Sequence, residues 1–272
     1  MTLSADFRAC PNCSSTSNKT KLVEPPFHVV QCRNCYLVYL GNPPDQNTLY
    51  DGYYDASNFS AGDYAINSSD AALAEMYAIN AQRLEWIRKL KATGRLLDVG
   101  CGRGYFIKTA AANGFAASGI EISARAVDFA RNRMKVEAEA KTLEELQDTS
   151  ARFEVITLWH VLEHFHDPFE ALGRVRLLLT SSGVCVIEVP NWHSLKFLLS
   201  RNKWRGGNHP RYHRSFFTST TLARAFDQSG FTRWQRMQVS YRLPGQNDFY
   251  WFSKRVCNVF ALDAFLTYAA WK

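Results

Sequence analysis

Cys10, Cys13, Cys32 and Cys35 follow the pattern C-x2-C-x18-C-x2-C, a spacing at which two knuckles present four thiolates tetrahedrally to one zinc ion. Four thiolates leave no open coordination position, so an ion held there stabilises a fold and performs no chemistry. A pair of disulfides would use the same residues. It would strand Cys101, Cys185 and Cys257, in a chain that shows no secretory leader pattern. A second constellation is the apolar run Leu96-Leu97-Asp98-Val99 entering Gly100-Cys101-Gly102-Arg103-Gly104. Glycines at that place let main chain approach a small molecule where side chains would collide. About twenty residues on, Glu121 supplies a carboxylate that can take both hydroxyls of a ribose. Tyr105 stands where a dinucleotide fingerprint has its third glycine or an alanine, which disfavours a pyrophosphate cradle. A third group is the histidines His160, His164, His166, His193, His209 and His213, candidates for proton transfer near neutral pH. His160, Glu163 and His164 have the spacing that puts both imidazoles on one helical face beside a carboxylate, a metal-binding arrangement.

These residues need elements that hold them. Phe27, Val29, Val30, Tyr36, Val38 and Tyr39 alternate as strand residues do, and Gly41-Asn42-Pro43-Pro44 closes the ribbon around the cysteines. Residues 45–69, with Tyr50, Tyr53 and Tyr54 around Gly52, form a connecting segment that could fold over a pocket. Leu73, Met76, Tyr77, Leu84, Ile87 and Leu90 predict a helix from Asp70 to Thr93-Gly94. From there strands and helices alternate. Strands are expected at Leu96–Val99, Ala117–Glu121, Val136–Ala138, Phe153–Trp159 and Val184–Val189; helices are expected after Gly104, Ser123 and Asp167-Pro168. Two final strands, Thr232–Ser240 and Phe265–Trp271, close the pattern, the last antiparallel. The fold class is therefore α/β, a doubly wound, mostly parallel sheet with a small N-terminal zinc ribbon. The divisions are 1–44 for the ribbon, 45–69 for the connecting or lid segment, and 70–272 for the main domain.

At 272 residues with 46% hydrophobic content, the chain can bury a sizeable core. It carries no run of about 18 uncharged apolar residues, so a cytoplasmic protein without a transmembrane segment is expected. The net charge of +7 is uneven: seven Lys or Arg and no acid lie between Val189 and Phe226, which suits an anionic ligand. Val256, Val259 and Phe260 belong to an apolar helix pattern that reads as core or pocket wall.

The succession D-V-G-C-G-R-G, G-I-E, F-E-V-I-T-L-W-H-V-L-E-H-x-x-D-P, L-L-x-x-x-G-V-C-V-I-E-V-P-N and F-T-x-x-T-L-x-x-x-F-x-x-S-G-F resembles bacterial class I S-adenosylmethionine-dependent methyltransferases over residues 70–272. The resemblance implies a Rossmann-like methyltransferase with S-adenosyl-L-methionine as cofactor and Zn2+ as a structural ion. Asp98, Gly100, Cys101 and Gly102 would line the methionine part, Glu121 would bind the ribose and Ile122 would lie beside the adenine. Thr142 and Leu143 would flank the adenine edge, and Trp159 and His160 would lie below the sulfonium. Ala140-Lys141-Thr142 stands where the family often has an acidic residue. The segment from His209 to Thr218 resembles the histidine-bearing loop of zinc-containing sugar C-methyltransferases, which makes His213 the preferred base, with His160 and Tyr53 as further catalytic candidates. The expected reaction is methyl transfer to a small or carrier-linked, anionic metabolite such as a nucleotide-linked sugar. An RNA base methyltransferase is an alternative, but the ribbon has few cations to track phosphates (Lys19, Lys21, Arg33). A cofactor-binding scaffold without catalysis is another.

Overall fold

The computed structural model describes residues 7–44, 70–146, 152–199, 210, 212–243 and 247–272. Strands β1 (Asn18–Glu24), β2 (Phe27–Cys32) and β3 (Val38–Leu40) form an antiparallel meander, and helix α1 (Asp70–Leu90) leads into the main domain. There follow β4 (Gly94–Val99), α2 (Tyr105–Ala112), β5 (Phe115–Glu121), α3 (Ala124–Phe129) running into a π turn (Ala130–Met134), and β6 (Glu137–Ala140). After a 3-10 turn at Glu144–Leu146 come β7 (Phe153–Trp159), a second 3-10 turn (Leu162–His164), α4 (Pro168–Leu178) and β8 (Leu179–Pro190). The chain closes with α5 (Leu195–Leu199), β9 (Ser215–Phe216), α6 (Ser219–Gln228), β10 (Arg233–Met237), α7 (Asp248–Val259) and β11 (Phe265–Trp271).

Seven strands lie in the order β10-β11-β8-β7-β4-β5-β6. The pairs among β8, β7, β4, β5 and β6 are parallel, and β11 is antiparallel to both β8 and β10. The chain winds from β4 outward through β5 and β6, then returns to the other side of β4 with β7 and β8. That reversal opens a crevice at the carboxyl ends of β4 and β7, where open α/β sheets bind ligands. The central strands are apolar because both faces are covered; Leu96, Val155, Ile156, Leu158, Val184 and Ile187 are fully or nearly fully buried.

The start signals read from sequence form as expected. Ser123 Oγ accepts the Ala126 amide 3.3 Å away, and Asp167 Oδ1 accepts those of Phe169 and Glu170 at 2.9 Å. The strand expected at Val184–Val189 starts earlier, at Leu179, so that Ser181-Ser182-Gly183 lies inside β8. A bulge against β7 absorbs the extra residues, and a Cβ on Gly183 would lie 2.9 Å from the Phe153 carbonyl. Val256, Val259 and Phe260 do not form core: they are 41%, 52% and 69% exposed. No helix among the described residues is long and apolar enough to cross a membrane.

The ribbon is welded to the main domain. Val30, Leu37 and Tyr39 share one buried cluster with Leu222, Phe226 and Tyr268, and β9 adds to β3 as the fourth strand of the ribbon sheet. Residues 45–69, with Tyr53, and the cations Arg201, Lys203, Arg205 and Arg211 lie outside the described residues.

Candidate active site

Residues Gly100, Gly102 and Gly104 all take positive φ (70°, 52° and 79°), which L side chains rarely adopt. Their reasons differ. A Cβ on Gly100 would sit 2.5 Å from Val161 Cγ2, and one on Gly104 would sit 2.7 Å from Val136 Cγ2. A Cβ on Gly102 would meet nothing within 4 Å. Gly100 and Gly104 therefore press the loop onto the domain, while Gly102 presents bare main chain to open space. The loop is pinned from β5: the amides of Gly100 and Cys101 donate to the Ile120 carbonyl at 2.8 and 3.0 Å.

Glu121, 4% exposed, accepts the Gly102 amide at Oε2 and the Ser123 amide at Oε1, both at 3.0 Å. Each oxygen keeps a second lone pair, which is the capacity a vicinal diol needs. Ile122 beside it is 36% exposed, an apolar wall next to that carboxylate. Thr142 and Glu145 cap each other, the Thr142 amide donating to Glu145 Oε2 at 2.6 Å. Leu143 is 2% exposed with its side chain in the core, so only its main chain is left for the expected adenine contact. The Cys101 thiol lies against Gly119, and burial pushes its ionisation up, so it is packing and not a nucleophile. Asp98 is 3% exposed and accepts Thr157 Oγ1 at 2.6 Å; burial raises its carboxyl to about 7 despite that bond and the charge of Arg83.

The turn after β7 carries the second half of the site. His160 has φ 58°, so the chain turns there, and the helical face expected for His160 and His164 does not form. His160 Nε2 lies 3.2 Å from Glu188 Oε1 and Nδ1 lies 3.7 Å from Glu163 Oε1, with the ring edge-to-face on Phe265. Burial disfavours its charged form, but the two carboxylates outweigh that and hold the imidazole up at about 9. Glu188, fully buried in β8, also takes Arg83 Nη2 and Tyr241 Oη at 2.6 Å and Thr267 Oγ1 at 2.9 Å. Arg83 of α1 further donates to Tyr241 Oη and stacks 4.3 Å over Trp159. This network holds the Trp159-His160 turn. Sequence reasoning assigned no role to Glu188, Arg83 or Tyr241, although a glutamate inside Val-Cys-Val-Ile-Glu-Val was a legible signal of a buried, paired charge.

Glu163, His164 and His213 converge: one donor atom from each lies within 4.8 Å of the other two. The Glu163 carboxylate is buried and, among the described residues, no donor lies within hydrogen-bond distance of its oxygens; burial would raise its pKa, but His160 at 3.7 Å and the imidazoles of His164 and His213 lower it. His164 Nδ1 lies 2.9 Å from the Tyr212 carbonyl. Donation from Nδ1 there fixes the ring's orientation. The rings of His164 and His213 meet edge-to-face at 4.9 Å. His213 is thus placed beside His164, while His160 joins only through Glu163. Arg214, expected among the anion-facing cations, is instead 2% exposed, with its guanidinium toward His166 and the Pro44 carbonyl.

In the ribbon, Cys10 and Cys35 sulfurs are 3.5 Å apart, as are those of Cys13 and Cys32, and all four lie within 4.8 Å. Tetrahedral Zn–S bonds of about 2.3 Å imply S–S edges of about 3.8 Å, so the four residues fit zinc.

Residues 73–236 match the family model described as a methyltransferase domain, more than half of the chain. The chain belongs to that methyltransferase family. Its Rossmann-like architecture agrees with solved methyltransferases of low sequence identity. Magnesium protoporphyrin IX methyltransferase from Synechocystis PCC 6803, solved with S-adenosylhomocysteine, aligns at TM-score 0.57 and 12% identity over 84% of this chain and 100% of its own. The 1,6-didemethyltoxoflavin-N1-methyltransferase of Burkholderia thailandensis aligns at 0.53 and 19% over 93% and 99%. Among curated relatives, the ubiquinone biosynthesis O-methyltransferase of Bordetella avium (strain 197N) is 31% identical over 134 residues, 46% of this methyltransferase and 56% of the relative. That of Alkalilimnicola ehrlichii is 27% identical over 171 residues, 56% and 69%. The chain thus spans only about half the length of the first of these relatives.

Proposed function

We propose that this methyltransferase binds S-adenosylmethionine on the edge formed by β4, β5 and β7 and methylates a small or carrier-linked metabolite. One observation carries the reading. Val161 packs on Gly100 of the glycine loop, and two residues further Glu163 stands among His164 and His213, so a cofactor cradle and a proton-accepting cluster share one turn. Asp98, Gly100, Cys101 and Gly102 surround the methionine part, Glu121 takes the ribose, and Ile122, Thr142 and Leu143 border the adenine. Bound there, the cofactor supplies an electrophilic methyl group. His213 takes the proton of the acceptor, Glu163 stabilises the resulting imidazolium, and the His160-Trp159 turn, fixed by Glu188 and Arg83, shapes the floor of the site. The curated relatives are named for O-methylation, and a hydroxyl, including one on a nucleotide-linked sugar, is an acceptor that gains from such a base. Zinc on Cys10, Cys13, Cys32 and Cys35 completes the ribbon. The test is transfer of labelled methyl to a panel of nucleotide-linked and carrier-linked hydroxyl compounds, with His213→Ala beside the wild type. Loss of turnover with intact S-adenosylhomocysteine binding supports the reading; near-full turnover of His213→Ala would remove His213 as the base.

A specific feature favours a second reading of the same cluster. Among the described residues the buried Glu163 carboxylate has no donor within hydrogen-bond distance, which suits a divalent cation shared with His164 and His213 that would lower the acceptor's pKa. Turnover unchanged in excess chelator, with the ribbon zinc retained, would exclude it.

A further inference from the structure

Strand β9 belongs by sequence to the methyltransferase domain but by hydrogen bonding to the ribbon. Val38 pairs with Phe216 and Tyr39 with Ser215 in antiparallel register. The strand begins two residues after His213. Between them Arg214 acts as a strut. Its carbonyl accepts the Leu40 amide at 2.9 Å and Arg8 Nη2 at 3.3 Å, both from the ribbon side, while its own amide donates to the Glu163 carbonyl at 2.8 Å. The main chain on either side of the Glu163 and His213 pair is therefore anchored to β3. Arg8 adds a second tie, Nη1 to the His166 carbonyl at 3.1 Å, and Arg224 of α6 donates to the carbonyl of the thiolate residue Cys35 at 3.2 Å. Packing repeats the connection: Val38 and Leu40 share a buried cluster with Trp192, Phe197 and Phe216. The glycine loop, by contrast, is held by Ile120, Glu121 and Val161 from the main sheet's own strand ends.

We propose that the ribbon and its four-thiolate metal are the positioning device for the acceptor side of the site: the metal fixes β3, β3 holds β9, and Arg214 sets His213 against Glu163 and His164. Both knuckles flank the meander, Cys32 at the end of β2 and Cys35 just before β3, so an ion shared by the four sulfurs fixes the turn that delivers β3 to its pairing edge. The inference rests on the acceptor-side reading of the Glu163, His164 and His213 cluster given above. It divides the protein into two separable halves, a cofactor half that does not need the ribbon and an acceptor half that does.

The full chain carrying Cys13→Ser, at an exposed thiolate, is compared with the wild type in four readouts: bound zinc, hydrogen exchange of residues 212–217, affinity for S-adenosylhomocysteine, and methyl transfer. The expected result is lost zinc, exchange of 212–217 faster by about tenfold or more, S-adenosylhomocysteine affinity within about threefold of wild type, and turnover reduced at least about tenfold. Arg8→Met keeps the four thiolates and removes three side-chain bonds, to the Leu40, His166 and Arg214 carbonyls, so it should speed the same exchange with zinc retained; it carries the test if Cys13→Ser does not fold. Unchanged exchange of 212–217 after zinc loss, or in Arg8→Met if that variant carries the test, would overturn the proposal. Faster exchange with full turnover would support the strand coupling and instead remove the catalytic role assigned to the cluster.

Discussion

Replacing Glu188 by leucine tests the network beneath His160. The glutamate is fully buried and collects Arg83, Tyr241, Thr267 and His160 around one carboxylate. Its loss leaves the Arg83 guanidinium, 11% exposed at the side chain, with no compensating charge at that contact. Breaking a buried ion pair from one side costs about 3–5 kcal/mol, a large part of the roughly 5–15 kcal/mol that separates folded from unfolded domains. At about 1.4 kcal/mol per factor of ten, the unfolding equilibrium should shift by about 100-fold to several thousand-fold. With roughly 2–4 °C per kcal/mol for a chain of this size, Tm should fall by about 6–20 °C. Urea titrations give the free energy directly, with an unchanged m-value as the check on two-state unfolding. The double variant Arg83→Met with Glu188→Leu removes both charges and should be more stable than Glu188→Leu alone by at least about 2 kcal/mol. A Glu188→Leu cost below about 1 kcal/mol, or costs that simply add in the double variant, would refute the claim that this pair is electrostatically coupled.

Stability should also depend on pH in a defined direction. The folded His160 pKa of about 9 lies above the unfolded value near 6.5, so its contribution is complete below about pH 6.5 and is lost as pH rises through about 9. Asp98, raised to about 7 from about 3.9 unfolded, destabilises between about pH 4 and 7 and adds no slope above. His160→Asn, tolerated at positive φ, should therefore flatten the loss between about pH 7 and 9; a wild type already flat there contradicts the assignment. Gly119→Val would place its Cβ 2.5 Å from that of Cys101. It should weaken S-adenosylhomocysteine binding about tenfold or more while circular dichroism stays native, since overpacking costs about 1–3 kcal/mol; unchanged affinity in calorimetry would refute the loop's role.

The residues that spoke from the sequence were those whose chemistry is local. Four cysteines at knuckle spacing, three glycines after an apolar strand, and Glu121 at the end of the next strand each state their geometry within a few residues; in the fold the four sulfurs lie within 4.8 Å of one another, the glycines follow β4 and Glu121 ends β5. The alternation of strand and helix likewise announced the sheet, including the antiparallel Phe265–Trp271. What sequence could not show is long-range. Glu188 meets Arg83 across 105 positions and Tyr241 across 53, and no periodicity brings His164 beside His213. A two-residue strand such as Ser215–Phe216 carries no pattern of its own; it exists because β3 leaves an edge to be paired. The positive φ of His160 replaced an expected helical face with a turn, because β7 needs to end there and its amide is taken by the Glu188 carbonyl at 2.8 Å.

The central claim is that Gly102 and Glu121 cradle S-adenosylmethionine. Calorimetric titration of S-adenosylhomocysteine into the wild type and Glu121→Ala tests it most directly, because Glu121 is proposed to take the ribose and the same carboxylate pins the Gly102 amide at 3.0 Å. The expected result is one ligand per chain for the wild type and affinity weakened at least about tenfold in the variant, the loss of a charged hydrogen-bond acceptor. No binding to the wild type, or equal binding to both, would contradict it.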